Sequence, residues 1–431
     1  MKPRARVRYS VVLLALLINM LCYTDRVCIA VAGPEMRKEF DLSQAQMGLV
    51  YSIFSLSYFL GQTPWGIAAD RFGARGIVSL AVAGWSAFTA LTATAWSFAS
   101  LMAIRFTFGA LEAALSPSIA SAFGRWIPIT ERSTAFGAFL GGGRLGGAIT
   151  PPIAGFLLLR FGWRMPFVMF GAIGLLGSLA WFYWFRNRPE EHPAVSQAEL
   201  ERIRSERPEQ STPSAGAPWA ELLSSTRLWC LLATAFGSTF LWQFYITWFP
   251  TYLRERRGMS LSESAFYASL PFLLGVGSTW VGGILTDWIG RRSGDRPART
   301  IVGLVSLASA AILMSAGVWC AEAGMAALLM GCAAGAVDLY LGAAWSSAVD
   351  IGGSSGGAVA GMMNAASNCA GFASPALMGW VLQRSGDWDS VLLLGAGTTA
   401  VSAVLWLFVN PRRRPLLSPL ASAAKPIPEP R

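Results

Sequence analysis

Between Val11 and Val409 the chain passes again and again through apolar stretches of about twenty residues that carry few charges. About twenty residues of helix, rising about 1.5 Å each, cross the ~30 Å hydrocarbon core of a bilayer. In that medium each backbone N–H and C=O must find its partner within the segment, which leaves helices as the economical solution. The spans fall at about 10–33, 46–69, 77–97, 99–123, 133–158, 164–185, 228–253, 263–287, 299–320, 324–349, 358–382 and 388–409. The expectation is an all-α membrane protein with twelve transmembrane helices. Composition agrees, with 54% hydrophobic and only 13% charged residues, against about 25% charged in a soluble domain. The net charge of +10 sits in short clusters between apolar runs, so it speaks for lipid headgroups and topology and against a nucleic-acid partner. All six cysteines lie inside apolar stretches without C-x-x-C spacing, and neither a disulfide nor a metal site is expected.

Lys2, Arg4, Arg6 and Arg8 precede the first apolar stretch, and Ala30-Val31-Ala32 resembles a signal-peptidase site. Cleavage there would remove one span of twelve, so the segment is read as a retained first helix. With the N-terminus inside, 23 of the 34 basic residues fall on the cytoplasmic side and 8 outside, which orients both termini to the cytoplasm of a cell inner membrane. The remaining three, Arg26, Arg105 and Arg144, lie within spans. A polar stretch with a Pro/Ser-rich run from Pro208 to Pro218 separates the sixth and seventh spans. It divides the chain into a six-helix half (1–187), a linker (188–226), a second six-helix half (227–411) and a tail (412–431). Within the linker, Ser196 and Glu199 have the spacing of a capping box, and the single histidine, His192, reads as a loop residue.

The halves echo one another. Gly66-Ile-Ala-Ala-Asp70-Arg71-Phe-Gly73-Ala-Arg75 follows the second span, and Gly283-Ile-Leu-Thr-Asp287-Trp-Ile-Gly290-Arg291-Arg292 follows the eighth. An aspartate with arginines beyond a helix end can form ion pairs that hold the cytoplasmic face shut. Asp70, Arg71, Arg75, Asp287, Arg291 and Arg292 are therefore the expected cytoplasmic gate, the alternative being that the arginines only fix topology. With this repeated loop the chain resembles the major facilitator superfamily from about residue 9 to 411, which implies that family's fold of two six-helix halves.

Further stretches resemble the anion:cation symporter family within it, the group of galactonate, hexuronate, glucarate and phthalate carriers and of the vesicular glutamate and sialic-acid carriers. Tyr23-Thr-Asp25-Arg26-Val27 with Val31-Ala32 matches the pattern Y-x-D-R-x-x-x-x-V-A, with Cys28 where asparagine is common. Arg105-Phe-Thr-Phe-Gly109-Ala-Leu-Glu112 with Pro117, Arg144-Leu-Gly146 with Pro151-Pro152, Tyr245-Ile-Thr-Trp248-Phe-Pro250, and Gly361-Met-Met-Asn364 with Asn368 add to it.

An ionisable residue at bilayer depth is costly unless it is paired or faces a cavity, so it marks function. The first half has five: Asp25, Arg26, Arg105, Glu112 and Arg144. The arginines stay charged at any relevant pH and grip a carboxylate through two parallel hydrogen bonds, which suits an anionic substrate. The carboxylates can carry protons. Arg105 and Glu112, seven apart, share a helix face, so substrate is expected to compete with Glu112 for Arg105. The alternative is that Asp25–Arg26 and Arg105–Glu112 are packing ion pairs only. In the galactonate carriers the matching aspartate and glutamate couple protons and the matching arginines face substrate, which the resemblance extends to Asp25, Glu112, Arg26 and Arg105. Arg144 matches only part of the family. Tyr23 and Tyr58 from the first half, with Gln243, Tyr245, Trp345, Asn364 and Asn368 from the second, are expected to complete a polar lining suited to the hydroxyls of a sugar acid. Asp338, in the tenth span, lies outside the pattern and reads either as an arginine's partner or as a further titrating site.

No G-x-x-x-x-G-K-[ST] loop, nucleophile–histidine pair or metal-ligand cluster is present, so no cofactor is expected and the chain is not read as an enzyme. The expected function is proton-coupled import of a small organic anion by alternating access, by a monomer in the lipid bilayer. Rival readings are proton-antiport efflux, whose helix-five proline stretch is replaced here by Gly142-Gly143-Arg144, and a transporter-like anion receptor.

Overall fold

The computed structural model describes residues 7–205, 219–352 and 356–409. Lys2, Arg4, Arg6, Arg207, the Pro208–Pro218 run and the tail 412–431 lie outside them. The described residues form α1 (Val7–Glu39), α2 (Gln44–Phe72), α3 (Ala74–Thr92), α4 (Phe98–Glu112), α5 (Leu115–Trp126), α6 (Arg132–Phe161), α7 (Arg164–Trp184), α8 (Gln197–Ser205) and α9 (Trp219–Leu223). The second half follows as α10 (Thr226–Thr247), α11 (Phe249–Glu255), α12 (Leu261–Ser293), α13 (Asp295–Trp319), α14 (Ala323–Leu339), α15 (Leu341–Gly352), α16 (Gly356–Ser385) and α17 (Trp388–Val409).

The twelve spans are all found, three of them as two helices in tandem: α4–α5, α10–α11 and α14–α15. The first break has a local cause, since Pro117 lacks the N–H that the carbonyl of Ala113 would accept. Pro250, at the start of α11, accounts for the second in the same way. Serines cap α2, α4 and α12 through reciprocal side-chain bonds at Ser43, Ser97 and Ser260. Counting α4–α5 and α14–α15 as single spans, eight are apolar enough to be recognised as membrane-crossing by hydropathy alone. The other four contain α2, α6, α10 and α16. Of these, α2 packs on α16 and α6 on α12 across the two halves, with Gly48 close against Pro375 of α16 and Gly147 and Gly155 close against Phe272 and Ala265 of α12.

Within the first half α1 packs on α6 and α3 on α7; within the second, α10 packs on α17 and α12 on α14. The halves meet at the face opposite the linker. There Arg254 pairs with Glu35 at 2.6 Å and Arg37 with Glu255 at 2.8 Å, Gln383 accepts from the backbone of Ala45, and Tyr51 packs edge-on against Trp248. The contact runs inward along α2 and α16 as far as Gln62 and Asn364, 3.5 Å apart. Beyond that point, toward the linker face, no hydrogen bond or ion pair joins the halves among the described residues.

The linker is tied to the first half. Arg8 is 1% exposed, bonded to Glu131 at 2.8 Å and to Glu199 at 3.3 Å. The carboxylate of Glu199 also accepts from the backbone N–H groups of Val7 and Arg8. It thereby caps α1, where an anion meets the positive helix end. The capping box expected at Ser196 is thus only half made: Ser196 accepts from Glu199 N–H, but the glutamate turns to another helix. His192 packs between Trp126 and Trp184 and is buried.

The repeated loop also departs from its sequence register. Gly73 ends α2 with φ +86°, and the glycine doing the same for α12 is Gly294, also +86°, one turn beyond the Gly290 that sequence alignment suggests. Gly290 is buried within the helix; within the two copies of this loop the positive φ falls at Gly73 and Gly294, where glycine is favoured.

Candidate functional site

Successive residues on a helix point about 100° apart, so Asp25 and Arg26 of α1 serve different neighbours. Arg26 reaches α4 and forms a short ion pair with Glu112. Asp25, 1% exposed, lies among Arg105, Glu112, Thr89 and Trp85, with neither carboxylate oxygen hydrogen-bonded among the described residues. The expected competition for Arg105 therefore takes a different form: the partner of Glu112 is Arg26. The pairs Asp25–Arg26 and Arg105–Glu112, considered as packing pairs, are not made. The seven-residue spacing on α4 misled because a neighbouring helix offered Glu112 a nearer guanidinium.

Arg105 is 2% exposed. Its nearest polar contact is Thr92 Oγ1 at 3.5 Å, its Nε has no partner, and its guanidinium lies 5.0 Å from the Phe108 ring. A buried guanidinium with donors left over is costly to the protein. Arg26 and Arg105 both line one small cavity of about 40 Å³ at the junction of the halves, together with Tyr51, Ser55, Gln243 and Thr247. Rings surround Arg26: Tyr58 at 4.7 Å, Phe54 at 4.8 Å and Tyr23 at 5.2 Å. Such faces hold a cation in place without neutralising it.

The structure brings Arg26, Arg105 and Gln243 to the cavity wall, with Tyr23 and Tyr58 behind Arg26. It does not bring Tyr245, which is 1% exposed in the packing of the second half with its hydroxyl 3.5 Å from Met314 Sδ. Trp345, on α15, is 47% exposed and away from the cavity. A polar-tipped ring suits a hydroxyl, but packing claims the first of these aromatics and the surface the second. On α16 the Asn368 side-chain amide donates to the Asn364 backbone carbonyl at 3.0 Å, and Asn364 lies toward the linker face beside Gln62. Tyr51, Ser55, Phe54 and Thr247 were not foreseen; each looks in sequence like an ordinary span residue.

Arg144 of α6 bonds to Asp338 of α14 at 2.8 Å, joining the halves, and its guanidinium stacks 3.8 Å over Trp242. Of the two readings open for Asp338, the structure gives the arginine's partner. At the linker face Asp70, Arg71, Asp287, Arg291 and Arg292 are exposed, and neither aspartate makes an ion pair with another described residue. Arg75 is held within its own half by the Phe182 carbonyl at 2.8 Å and by Asn187, which accepts its backbone N–H. The ion pairs expected of these residues are not made among the described residues.

Residues 15–360 match the Major Facilitator Superfamily profile. A probable sulfoacetate transporter of Cupriavidus necator is 33% identical over 95% of this chain and 96% of its own. A hexuronate transporter of Bacillus subtilis is 31% identical over 94% and 95%. Among solved structures, a bacterial homolog of the human lysosomal transporter Spinster, in an inward-facing and unoccupied conformation, superposes with TM-score 0.73 at 23% identity, covering 95% of this chain and 96% of that one.

Proposed function

We propose, on the premise that the chain belongs to the Major Facilitator Superfamily and is a multi-pass membrane transporter, that it carries a small organic anion into the cell with protons. The observation that carries this reading is the convergence of Arg26 and Arg105 on one cavity between the halves, with Arg26 paired to the fully buried Glu112. Two permanently charged forks offer an acidic group parallel hydrogen bonds. An anion that takes Arg26 strips Glu112 of its counter-charge. A buried carboxylate in that state is strongly disfavoured, so Glu112 takes up a proton as the anion binds. Asp25 beside Arg105 is the second carboxylate placed to respond in this way. Sugar acids and sulfonated acids are the substrate classes suggested by the relatives.

The bias of basic residues toward the linker side supports cytoplasmic termini in an inner membrane. With that orientation the conformation described here is inward-open, and Asp70, Arg71, Arg75, Asp287, Arg291 and Arg292 close the cytoplasmic side in the opposite state. The divisions at 187, 226 and 411 follow from the same reading. The test is ligand binding by Arg105→Ala: an anion that raises the melting temperature of the wild type by mass action should lose that effect, with the fold intact by circular dichroism. Undiminished stabilisation would refute the assignment.

A further inference from the structure

Two ion pairs in this molecule follow one plan. In Arg26–Glu112 the carboxylate side chain is 0% exposed and the arginine 17%; in Arg144–Asp338 the values are 3% and 16%. Each arginine lies over aromatic rings, Arg26 over Tyr58 and Phe54 and Arg144 over Trp242. Tyr23 stands between them, its ring 5.2 Å from Arg26 and packed so closely on Gly143 that a Cβ there would meet it at 2.7 Å. Trp242 in turn adjoins Gln243 of the cavity wall. Arg144 Nη1 and Asp338 Oδ2 are buried without partners, so this second pair is incompletely satisfied.

We infer, building on the anion-transport reading above, that Arg144 is a second anion subsite and that the substrate is doubly charged, one acidic group binding at Arg26 and Arg105 while the other displaces Asp338 from Arg144. Asp338 is the built-in occupant of that subsite. A guanidinium that keeps part of its side chain exposed, as Arg144 does at 16%, exchanges one carboxylate for another at little cost, provided the displaced one is neutralised. Asp338 then stands buried and takes a proton from the solvent-filled side. The groups around it leave no other outlet. Arg144 faces it from α6 and Tyr340, bonded to Ser238, from its own helix; α12 presents Gly275 and carries no ionisable residue from Pro271 to Thr286; α13 carries none from Ile301 to Trp319. A singly charged acid leaves Arg144–Asp338 closed and gains nothing from it.

The test compares matched acids that differ by one carboxylate replaced with CH2OH, glucarate against gluconate and sulfoacetate against isethionate, titrated calorimetrically into the purified full-length protein. One added arginine contact to a charged group corresponds to about tenfold or more in affinity, so in at least one pair the dianion should bind that much more tightly. In Arg144→Gln/Asp338→Asn, which removes both charges together and leaves no buried carboxylate unpaired, the ratio should fall to about one to threefold. Should that variant misfold, Asp338→Asn alone serves: the dianion should bind more tightly than to wild type, with one proton fewer taken up per dianion in weak buffer. An unchanged ratio in the double variant, equal binding of both members of each pair by wild type, or unaltered proton uptake in Asp338→Asn would overturn the second subsite while leaving anion binding at Arg105 standing. Failure of all four acids to bind wild type would instead overturn the anion reading beneath it.

Discussion

On the reading proposed above, Glu112→Gln should separate substrate binding from proton coupling. The glutamine imitates the protonated acid and can still accept from Arg26, and Arg26 keeps 17% of its side chain exposed. Loss of folding stability should therefore be about 1–3 kcal/mol, less than the ~3–5 kcal/mol for leaving a buried charge unpaired. The transport consequence is larger. Each coupled proton multiplies the accumulation ratio by about ten per unit of pH gradient, because one unit corresponds to about 1.4 kcal/mol. In proteoliposomes with the membrane potential clamped and one pH unit imposed, Glu112→Gln should accumulate labelled sulfoacetate or glucarate, whichever wild type takes up, about tenfold less. Exchange of internal for external substrate should continue. If the variant reaches the wild-type ratio under the same gradient, Glu112 is only a packing ion pair and the coupling reasoning fails.

Other outcomes follow from the same geometry. Asp70→Asn and Asp287→Asn should bind substrate with wild-type affinity yet transport it more slowly, since both residues are exposed and unpaired in the conformation that binds from the linker side; lost binding in a folded variant would contradict their assignment to the gate. Burial between Trp126 and Trp184, with Arg186 adding to it, holds His192 below the usual histidine range. The unfolded chain then takes up the proton first, so the contribution of His192 to linker docking is complete above about pH 6.5 and declines as pH falls toward the folded-state value. The melting temperature of wild type should drop more between pH 7.5 and 5.5 than that of His192→Phe. Gly48→Ala should shift the protein away from the present conformation, read as a longer distance between spin labels at Ala45 and Gln383.

Much of this architecture is legible in the sequence because a bilayer leaves few choices. Length and apolarity alone mark eight of the twelve spans, the recurrence of apolar stretches between polar loops points to the other four, and the cost of intramembrane charge singles out Arg26, Arg105, Glu112 and Arg144 without knowledge of their neighbours. Pairing is another matter. Residues 26 and 112, or 144 and 338, are brought together by helices far apart in the chain, and helical spacing can report only which residues share a face of one helix. For the same reason Arg8 reads as a topology charge when it is in fact buried against Glu131 and Glu199. Lining residues such as Tyr51 and Ser55 carry no local signal, since their role depends on which face of α2 meets α16. The misplaced Tyr245 is the complementary case: a polar-tipped ring within a span can be satisfied by packing alone.

The seal between the halves is where alternation must be cheap, and its composition tells what sets the balance. The ion pairs Arg254–Glu35 and Arg37–Glu255 keep about a quarter of each side chain exposed, so each contributes about 0–1 kcal/mol. They cannot lock the conformation. Close backbone approach is the stronger constraint. At Gly48 of α2 a Cβ would meet the Pro375 carbonyl oxygen of α16 at 2.5 Å and Ala376 Cα at 3.2 Å. These are backbone atoms, which no side-chain rotation can move aside. Gly379 repeats the device one turn along, where a Cβ would meet the Gln44 carbonyl at 2.5 Å. A methyl group at position 48 must push α2 and α16 apart, and overpacking of this kind costs about 1–3 kcal/mol. On the proposed alternating-access reading the same surfaces separate in the opposite conformation and the methyl is free there. The added cost therefore falls on one state only, and by about 5- to 150-fold it should move the population toward the state open at the far face. An unchanged label distance in Gly48→Ala, with the protein folded, would mean that the α2–α16 contact is not what holds this side shut.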